Sequence, residues 1–445
     1  MRKIFLFWGD VAVLYLALFL TLLIRYGAGT EFSHKLSLHI IPFTMIFALW
    51  VLVFYIANLF EISITKNNLE FYTAFFYATA VNTLITIAFF YLVPFFRITP
   101  KTNLFIFLTS EILLATPWRY YFNRLLTKGN FKNNTLILGL SDQSQKLYDF
   151  LLANPQLGYG VLGIIDTEHN MAPEILDNII RQKNVKLLIL GPAAYKVSQI
   201  INILYRLVGL KINFFNLADF YEMTTGKVPV GTIDQAWFLN NLSEGRKKGY
   251  EMAKRIFDLV LATAIGILSL PIYPFVIWAI KADTRGPIFY RQARVGQGGK
   301  TFEVIKFRTM VADAEKETGP VWASEDDART TKVGKFIRRT RIDELPQMWN
   351  IIKSEMTFVG PRPERPEFLE KLKNSIPFYE ERYLIKPGFT GWTQIKYKLD
   401  FKGGLTIEDT FEKLQYDLYY IKNRSILLDF GIILKTLNLI FQKLT

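Results

Sequence analysis

The chain has 445 residues, 51% hydrophobic and 15% aromatic, with a net charge of +14 and no cysteine. That size and apolar content exceed one ordinary soluble domain and point to membrane segments, while the missing cysteine excludes disulfides, thiolate nucleophiles and cysteine-ligated metals. The positive charge calls for an anionic partner, and nucleic acid, a phospholipid surface or phosphorylated substrates would each satisfy it.

Met1-Arg2-Lys3 opens an apolar run to about Leu23, and similar runs cover 39–60, 71–96 and 104–123. Each is long enough to cross a bilayer, so a four-helix transmembrane domain is expected over 1–128, its first helix a retained anchor. Arg2, Lys3, Lys66, Arg119, Arg124, Lys128 and Lys132 outweigh Arg25, Lys35, Arg97 and Lys101 on the other side. Both ends of the bundle are therefore expected in the cytoplasm. Asp10 and Glu111 fall inside spans, near a polar end or a helix interface, and carry no catalytic weight.

Over 129–245 short β-branched runs alternate with amphipathic segments. Strands are expected at 135–138, 161–165, 185–190 and 212–215, with helices near 143–153, 173–183 and 195–208, which predicts a degenerate Rossmann-like α/β domain. Gly139-Leu140-Ser141-Asp142-Gln143-Ser144 stands where a phosphate loop would lie but lacks two of its three glycines. A structural or regulatory module is the better expectation than a dinucleotide site, with small-ligand sensing open.

The third part, 246–445, opens on an apolar run at 257–280. Lys247, Lys248, Lys254 and Arg255 precede it and Lys281 and Arg285 follow it, while Pro271 and Pro274 interrupt it. Cytoplasmic charge at both ends and two missing backbone donors predict a re-entrant membrane helix over about 255–281, one that enters the bilayer and returns. Next come a strand, a glycine-rich turn at 295–300 and a strand at 302–307, ending on Lys306 and Arg308. Residues 312–331, around Trp322, read as a solvated connector, with a lid as the alternative.

Arg338, Arg339 and Arg341 then lead into Asp343-Glu344-Leu345-Pro346-Gln347. Proline suits the first turn of a helix, so the two acids are expected at a helix start, ionised there and able to share that positive end with a phosphate. Taken alone the pair has two readings, complement to a helix dipole or phosphoryl chemistry. With all three histidines (His34, His39 and His169) upstream, carboxylates must carry the chemistry. A helix at 348–353 precedes Val359-Gly360-Pro361-Arg362-Pro363-Glu364-Arg365-Pro366, whose prolines stiffen a loop offering Arg362 and Arg365 to phosphate oxygens. The last run, 426–443, has helical periodicity and is expected on the membrane surface or against the core.

Gly286-Pro287-Ile288-Phe289-Tyr290-Arg291-Gln292, Lys306-Phe307-Arg308-Thr309-Met310, Asp343-Glu344-Leu345-Pro346-Gln347, Val359-Gly360-Pro361-Arg362-Pro363 and Lys386-Pro387-Gly388-Phe389-Thr390-Gly391 form five blocks in one order. With them residues 250–445 resemble the bacterial polyprenyl-phosphate sugar-1-phosphate transferases, the monotopic phosphoglycosyl transferases, and the upstream layout is similar to that family's large form. The resemblance implies transfer of a sugar 1-phosphate from a UDP-sugar donor to polyprenyl phosphate with Mg2+, at the cytoplasmic face of the bacterial inner membrane, in contact with membrane lipid and without nucleic acid. It leaves a homodimer open. It implies Asp343 as nucleophile forming an acyl phosphate, and Glu344 in metal binding or proton handling. Lys306, Arg308, Arg339, Arg341, Arg362 and Arg365 are phosphate-binding candidates, and Glu364 and Asp417 weaker metal candidates. The family's Ser-Pro bend is here Ser269-Leu270-Pro271, one residue longer. A non-catalytic scaffold or nucleotide-sugar sensor is the alternative; no nucleic-acid module is recognisable.

Overall fold

The computed structural model describes residues 2–93, 101–128, 132–167, 173–209, 212–242, 247–311, 314, 327–397 and 406–444. Most of the 312–331 connector, including Trp322, lies outside them, as does His169. The chain forms two compact units, Met1–Leu217 and Ala218–Thr445.

The first unit begins with four helices, α1 (Arg2–Tyr26), α2 (Thr30–Ile56), α3 (Leu69–Leu92) and α4 (Lys101–Lys128). The first three are long and apolar enough to cross a membrane. Helix α4, expected as the fourth span, is among the four helices but below that hydropathy, because part of its length goes to buried polar groups. Arg119 reaches Asp10 of α1 at 2.5 Å and the Leu59 carbonyl at 2.8 Å, and Trp118 donates to Asp10 at 3.0 Å. Asp10 thus ties α1 to α4, and a buried charge is tolerated when paired and hydrogen-bonded in this way. Elsewhere the bundle interlocks through rings, with Trp50 fully buried among Phe54 and Phe107 and donating to Thr86 at 2.9 Å.

The α/β part of this unit follows the expected order. Strands β1 (Asn133–Leu138), β2 (Tyr159–Ile165), β3 (Leu187–Leu190) and β4 (Asn213–Asn216) alternate with α5 (Asp142–Ala153), α6 (Pro173–Gln182) and α7 (Ser198–Leu207). The strands form one parallel sheet in the order β2-β1-β3-β4. In such a sheet a ligand would enter where the order reverses, between the ends of β1 and β3. There Gly139 has a φ of 98°, and a Cβ on it would meet the Gly191 Cα at an ordinary 3.5 Å. Asp142 adds a negative charge to the first turn of α5, opposing a phosphate at that end.

In the second unit α8 (Leu217–Thr225) and α9 (Gln235–Asn241) precede α10 (Lys248–Ser269). Val228 and Val230 enter this unit's core, Trp392 donates to the Gly226 carbonyl at 2.9 Å, and Lys422 pairs with Glu222 at 2.7 Å. A short 3-10 turn, Leu270–Ile272, then separates α10 from α11 (Tyr273–Asp283). Pro271 and Pro274 supply no N–H to the ladder, so the α-helix tightens to 3-10 there, while Lys248–Asp283 as a whole is long and apolar enough to cross a membrane. Strands β5 (Phe289–Val295) and β6 (Thr301–Phe307) form an antiparallel hairpin, closed by a turn in which Gly298 and Gly299 have positive φ.

The remaining elements are α12 (Lys332–Arg339), a 3-10 helix (Ile342–Gln347), α13 (Met348–Ile352), β7 (Thr357–Val359), α14 (Pro366–Ser375), β8 (Gly388–Thr390), α15 (Trp392–Lys396), α16 (Ile407–Asn423) and α17 (Ile426–Leu444). Of the two expectations for the last helix, packing on the core holds, since Ile432 and Asp429 of α17 are fully enclosed. Strands β7 and β8 pair in parallel. Gly360 donates to Thr390 and Gly388 to Pro361, each at 2.9 Å, so two of the sequence blocks are one interlocked backbone crossing. A Cβ on Gly388 would stand 2.1 Å from the Gly360 nitrogen, so that crossing admits only glycine.

Candidate active site

The Asp343–Glu344 pair is placed by a helix stop. Helix α12 starts under a Thr331 cap, whose hydroxyl accepts from the Gly334 N–H at 2.9 Å, and ends at Arg341, whose φ of 57° is left-handed. That position usually goes to glycine, because a side chain costs about 1 kcal/mol or more there. Arginine in its place reverses the chain and brings its own side chain to Glu344, three residues on. The two acids follow in a six-residue 3-10 helix with Pro346 inside it. The acids thus lie in a first helical turn, as expected, but Pro346 stands inside it and the helix is 3-10: one tight turn develops little macrodipole, so neighbouring side chains set the ionisation.

Glu344 is gripped. Lys306 at 3.1 Å and Arg362 at 2.8 Å both reach Oε1, and Arg341 lies 3.8 Å from Oε2. Burial opposes ionisation of this carboxyl, but Arg362, Lys306 and Arg341 outweigh it and hold it well below the usual carboxylate range. Asp343 is as deeply placed, at 8% exposure, yet no hydrogen bond or ion pair to it is among those the described residues show. Burial first, then the Glu344 charge, push Asp343 up to about 6 against the pull of Lys306, Arg338 and Arg362. The expectation that a helix start would hold both acids ionised is therefore met for Glu344 and reversed in direction for Asp343. Environments that drive two neighbouring carboxylates apart in this way are characteristic of sites dividing chemical roles.

Local structure explains how residues 306, 344 and 362 meet. Register in the hairpin sets Tyr290 opposite Lys306 and Phe289 opposite Phe307. Phe307 buries its ring against Phe289 and Tyr273, and alternation sends Lys306 to the other face, toward Glu344. Asn350 fastens α13 to the same strand, donating to the Glu303 carbonyl at 2.7 Å and accepting from the Ile305 N–H at 3.2 Å. The β7–β8 crossing then delivers Arg362, whose carbonyl accepts from Arg382 at 2.9 Å.

The other candidates are elsewhere. Arg308 donates to the Arg285 and Thr284 carbonyls at 2.7 and 2.8 Å, closing the end of α11. Arg365 lies over the Phe368 ring at the start of α14, 3.4 Å from Glu367, and Arg339 is exposed on α12. Asp417 pairs with Arg382 at 2.9 Å and accepts from Thr393 at 2.6 Å. Glu364 accepts from the Arg365 N–H at 3.2 Å and lies 4.0 Å from Arg294. Arg338, whose charge lowers Asp343, was named in the sequence only as part of the arginine run, and Asn350 and Arg382 carried no signal there.

The family model for bacterial sugar transferases matches residues 249–443. A UDP-glucose:undecaprenyl-phosphate glucose-1-phosphate transferase of Xanthomonas campestris pv. campestris is 30% identical over 74% of this chain and 71% of its own length. The chain belongs to the bacterial sugar transferase family. Another member, a UDP-N-acetylgalactosamine-undecaprenyl-phosphate N-acetylgalactosaminephosphotransferase of Aeromonas hydrophila, is 38% identical over 52% of each chain. The undecaprenyl-phosphate galactose phosphotransferase of Salmonella typhimurium is 28% identical over 75% of this chain and 74% of its own. This sugar transferase thus spans about half the length of the Aeromonas relative and nearly three quarters of the other two. The matched domain contains every residue around the carboxylate pair.

Proposed function

We propose that this chain transfers a sugar 1-phosphate from a UDP-sugar to polyprenyl phosphate, releasing UMP and starting an exopolysaccharide or O-antigen repeat unit. The observation that carries the reading is the contrast between a carboxylate held by three cations and an adjacent one with no described partner. Asp343 attacks the sugar-bearing phosphorus of the donor, the bond from that phosphorus to UMP breaks, and an acyl phosphate forms. A phosphate oxygen of the acceptor then attacks the same phosphorus and returns Asp343 as a carboxylate. Two displacements suit one site visited in turn by a soluble donor and a lipid acceptor. Glu344 orients Lys306, Arg341 and Arg362, which outnumber the two carboxylates and so retain positive charge for phosphate oxygens.

Among the described residues no three carboxylate or imidazole groups converge as a metal site. Mg2+ needs less, commonly one or two carboxylates with waters and substrate phosphates. Buried Glu344 Oε2 makes no hydrogen bond, so it and Asp343 fit that role, whereas Asp417 and Glu364 are committed to arginines. When bound, the ion would offset charge on the donor's phosphates.

The membrane placement is also proposed: cytoplasmic membrane, catalytic domain inside, with a Rossmann-like middle domain. Support for a re-entrant α10–α11 comes from both arms packing on one body. Arg255 donates to the Ile351 and Ile352 carbonyls, and Val276 and Ile280 pack with Phe307 and Ile337. On either side of the 3-10 turn Leu268, Phe275 and Trp278 are about three quarters exposed, an apolar surface suited to lipid. Cysteines placed at 250 and 285 should label from the same side of sealed vesicles; labelling from opposite sides would mean a spanning helix.

Purified protein given a UDP-sugar, Mg2+ and polyprenyl phosphate should release UMP, whereas a scaffold or sensor would bind the nucleotide sugar unchanged. No UMP across a panel of donors would refute the activity. The relatives' names cover glucose, galactose and N-acetylgalactosamine, so the panel must as well. Without acceptor, the rate of the first UMP release should rise with pH through about 6 as Asp343 loses its proton. In Glu344→Gln the rise should move to lower pH, since the like charge has gone and the cations remain.

A further inference from the structure

A cleft at the foot of α10 is lined by Glu251, Lys254, Arg255, Asp258, Lys386 and Arg424 among others. We infer that it binds the phosphate of a membrane phospholipid, at a site separate from the Asp343–Glu344 pair. Half of its charges are matched in ion pairs. Lys254 pairs with Asp429 at 2.8 Å, Arg424 with Glu251 at 3.0 Å, and Asp258 accepts from the Thr357 hydroxyl and the Phe358 N–H. Arg255 and Lys386 differ, because their hydrogen bonds go only to neutral groups, the Ile351 and Ile352 carbonyls and the Ser354 hydroxyl. Two half-buried cations with no described ion pair, set against the single Asp258 charge, leave the cleft net positive and open to an anion. Both line the cleft, and burial and then the Arg255 charge hold Lys386 below the ordinary lysine value against the pull of Asp258 and Glu251.

The neighbouring surface identifies the anion's carrier. Glu251, Lys254, Arg255 and Asp258 occupy one helical stripe of α10 facing the cleft. Met252, Ile256 and Val260, at four-residue spacing, form the adjacent stripe and are 59–68% exposed. A lipid phosphate seated between Arg255 and Lys386 would lay its chains along that apolar stripe, whereas a soluble phosphate would leave it bare. The assignment rests on the proposed entry of α10 into the bilayer.

The test is phospholipid retained by the full-length protein after exchange into lipid-free detergent, measured as lipid per chain. Lys386→Gln and Arg255→Gln should each lower retention about ten-fold, the effect of losing one charge-assisted hydrogen bond, while Lys386→Arg should keep it. The KM for polyprenyl phosphate, followed by UMP release, should not move in these variants. Wild-type retention in both glutamine variants overturns the proposal, and so does release of the lipid by inorganic phosphate, which would mark a soluble-anion site. A KM rising in step with lost retention reassigns the cleft to the acceptor and also overturns it. Retention that follows Lys386 while cysteine labelling shows a spanning helix would sink the topology and leave the cleft standing.

Discussion

Asp343→Asn is expected to lower UMP release by about 10^4-fold or more, the scale of loss when a covalent nucleophile is removed, with the fold intact. Asparagine keeps the shape of the side chain, and the described contacts give it no hydrogen bond to break. The effect on stability should be opposite in sign to the effect on rate. A buried carboxyl raised to about 6 favours the folded state below its unfolded value and loses that contribution as pH rises through about 6. The neutral amide does not, so the variant should melt at or above the wild-type temperature at pH 7. If the acid pair only complemented a helix end, the same variant would keep its turnover. Phosphate label on Asp343 after acid quench, with donor but no acceptor, checks the covalent step directly; a panel of donors leaving no label would indicate direct displacement.

Glu344→Gln is expected to fail differently, losing stability and rate together. The carboxylate is the acceptor for Lys306 and Arg362 and lies near Arg341; the amide leaves three cations facing one another. Breaking a buried pair by removing one partner costs about 3–5 kcal/mol, and solvent at the half-exposed Arg362 brings the expectation to about 3 kcal/mol. Turnover should fall by roughly 10^2-fold or more as the cations, still present, lose the carboxylate that orients them toward the phosphates. The pH sign also reverses relative to Asp343. A carboxyl depressed by its partners contributes stability above its unfolded value, which disappears as pH falls through the folded one. Wild-type protein should therefore lose on acidification a stabilising increment that Glu344→Gln never has, seen as converging melting temperatures at low pH. Parallel melting curves down to acid pH would contradict the cation grip.

Much of this chain was legible in residue order because local chemistry dictated it. Alternating β-branched and amphipathic runs located β1–β4 and α5–α7, since a strand or helix must present its apolar residues at its own period. Pro271 and Pro274 marked the 3-10 turn between α10 and α11, because a missing N–H acts wherever it occurs. The glycine-rich turn placed the β5–β6 hairpin, and the five blocks in order identified the family. Each of these signals is local, or depends only on linear order.

The tertiary structure decided which charges meet. Six basic residues were equal candidates in the sequence, but only Lys306, Arg341 and Arg362 converge on Glu344, from a strand, a left-handed helix stop and a backbone crossing separated by up to 56 residues. Arg308 and Asp417, of the same residue types, serve a helix end and an arginine instead. The protonation contrast likewise could not come from composition. Asp343 and Glu344 are neighbours in sequence, and only the three-dimensional placement of cations around one of them sets their affinities for a proton apart. Coulombic interaction and burial depend on distance in space, so the chain itself determined that a carboxylate pair would do the chemistry, and the fold determined which member is held and which is left to react.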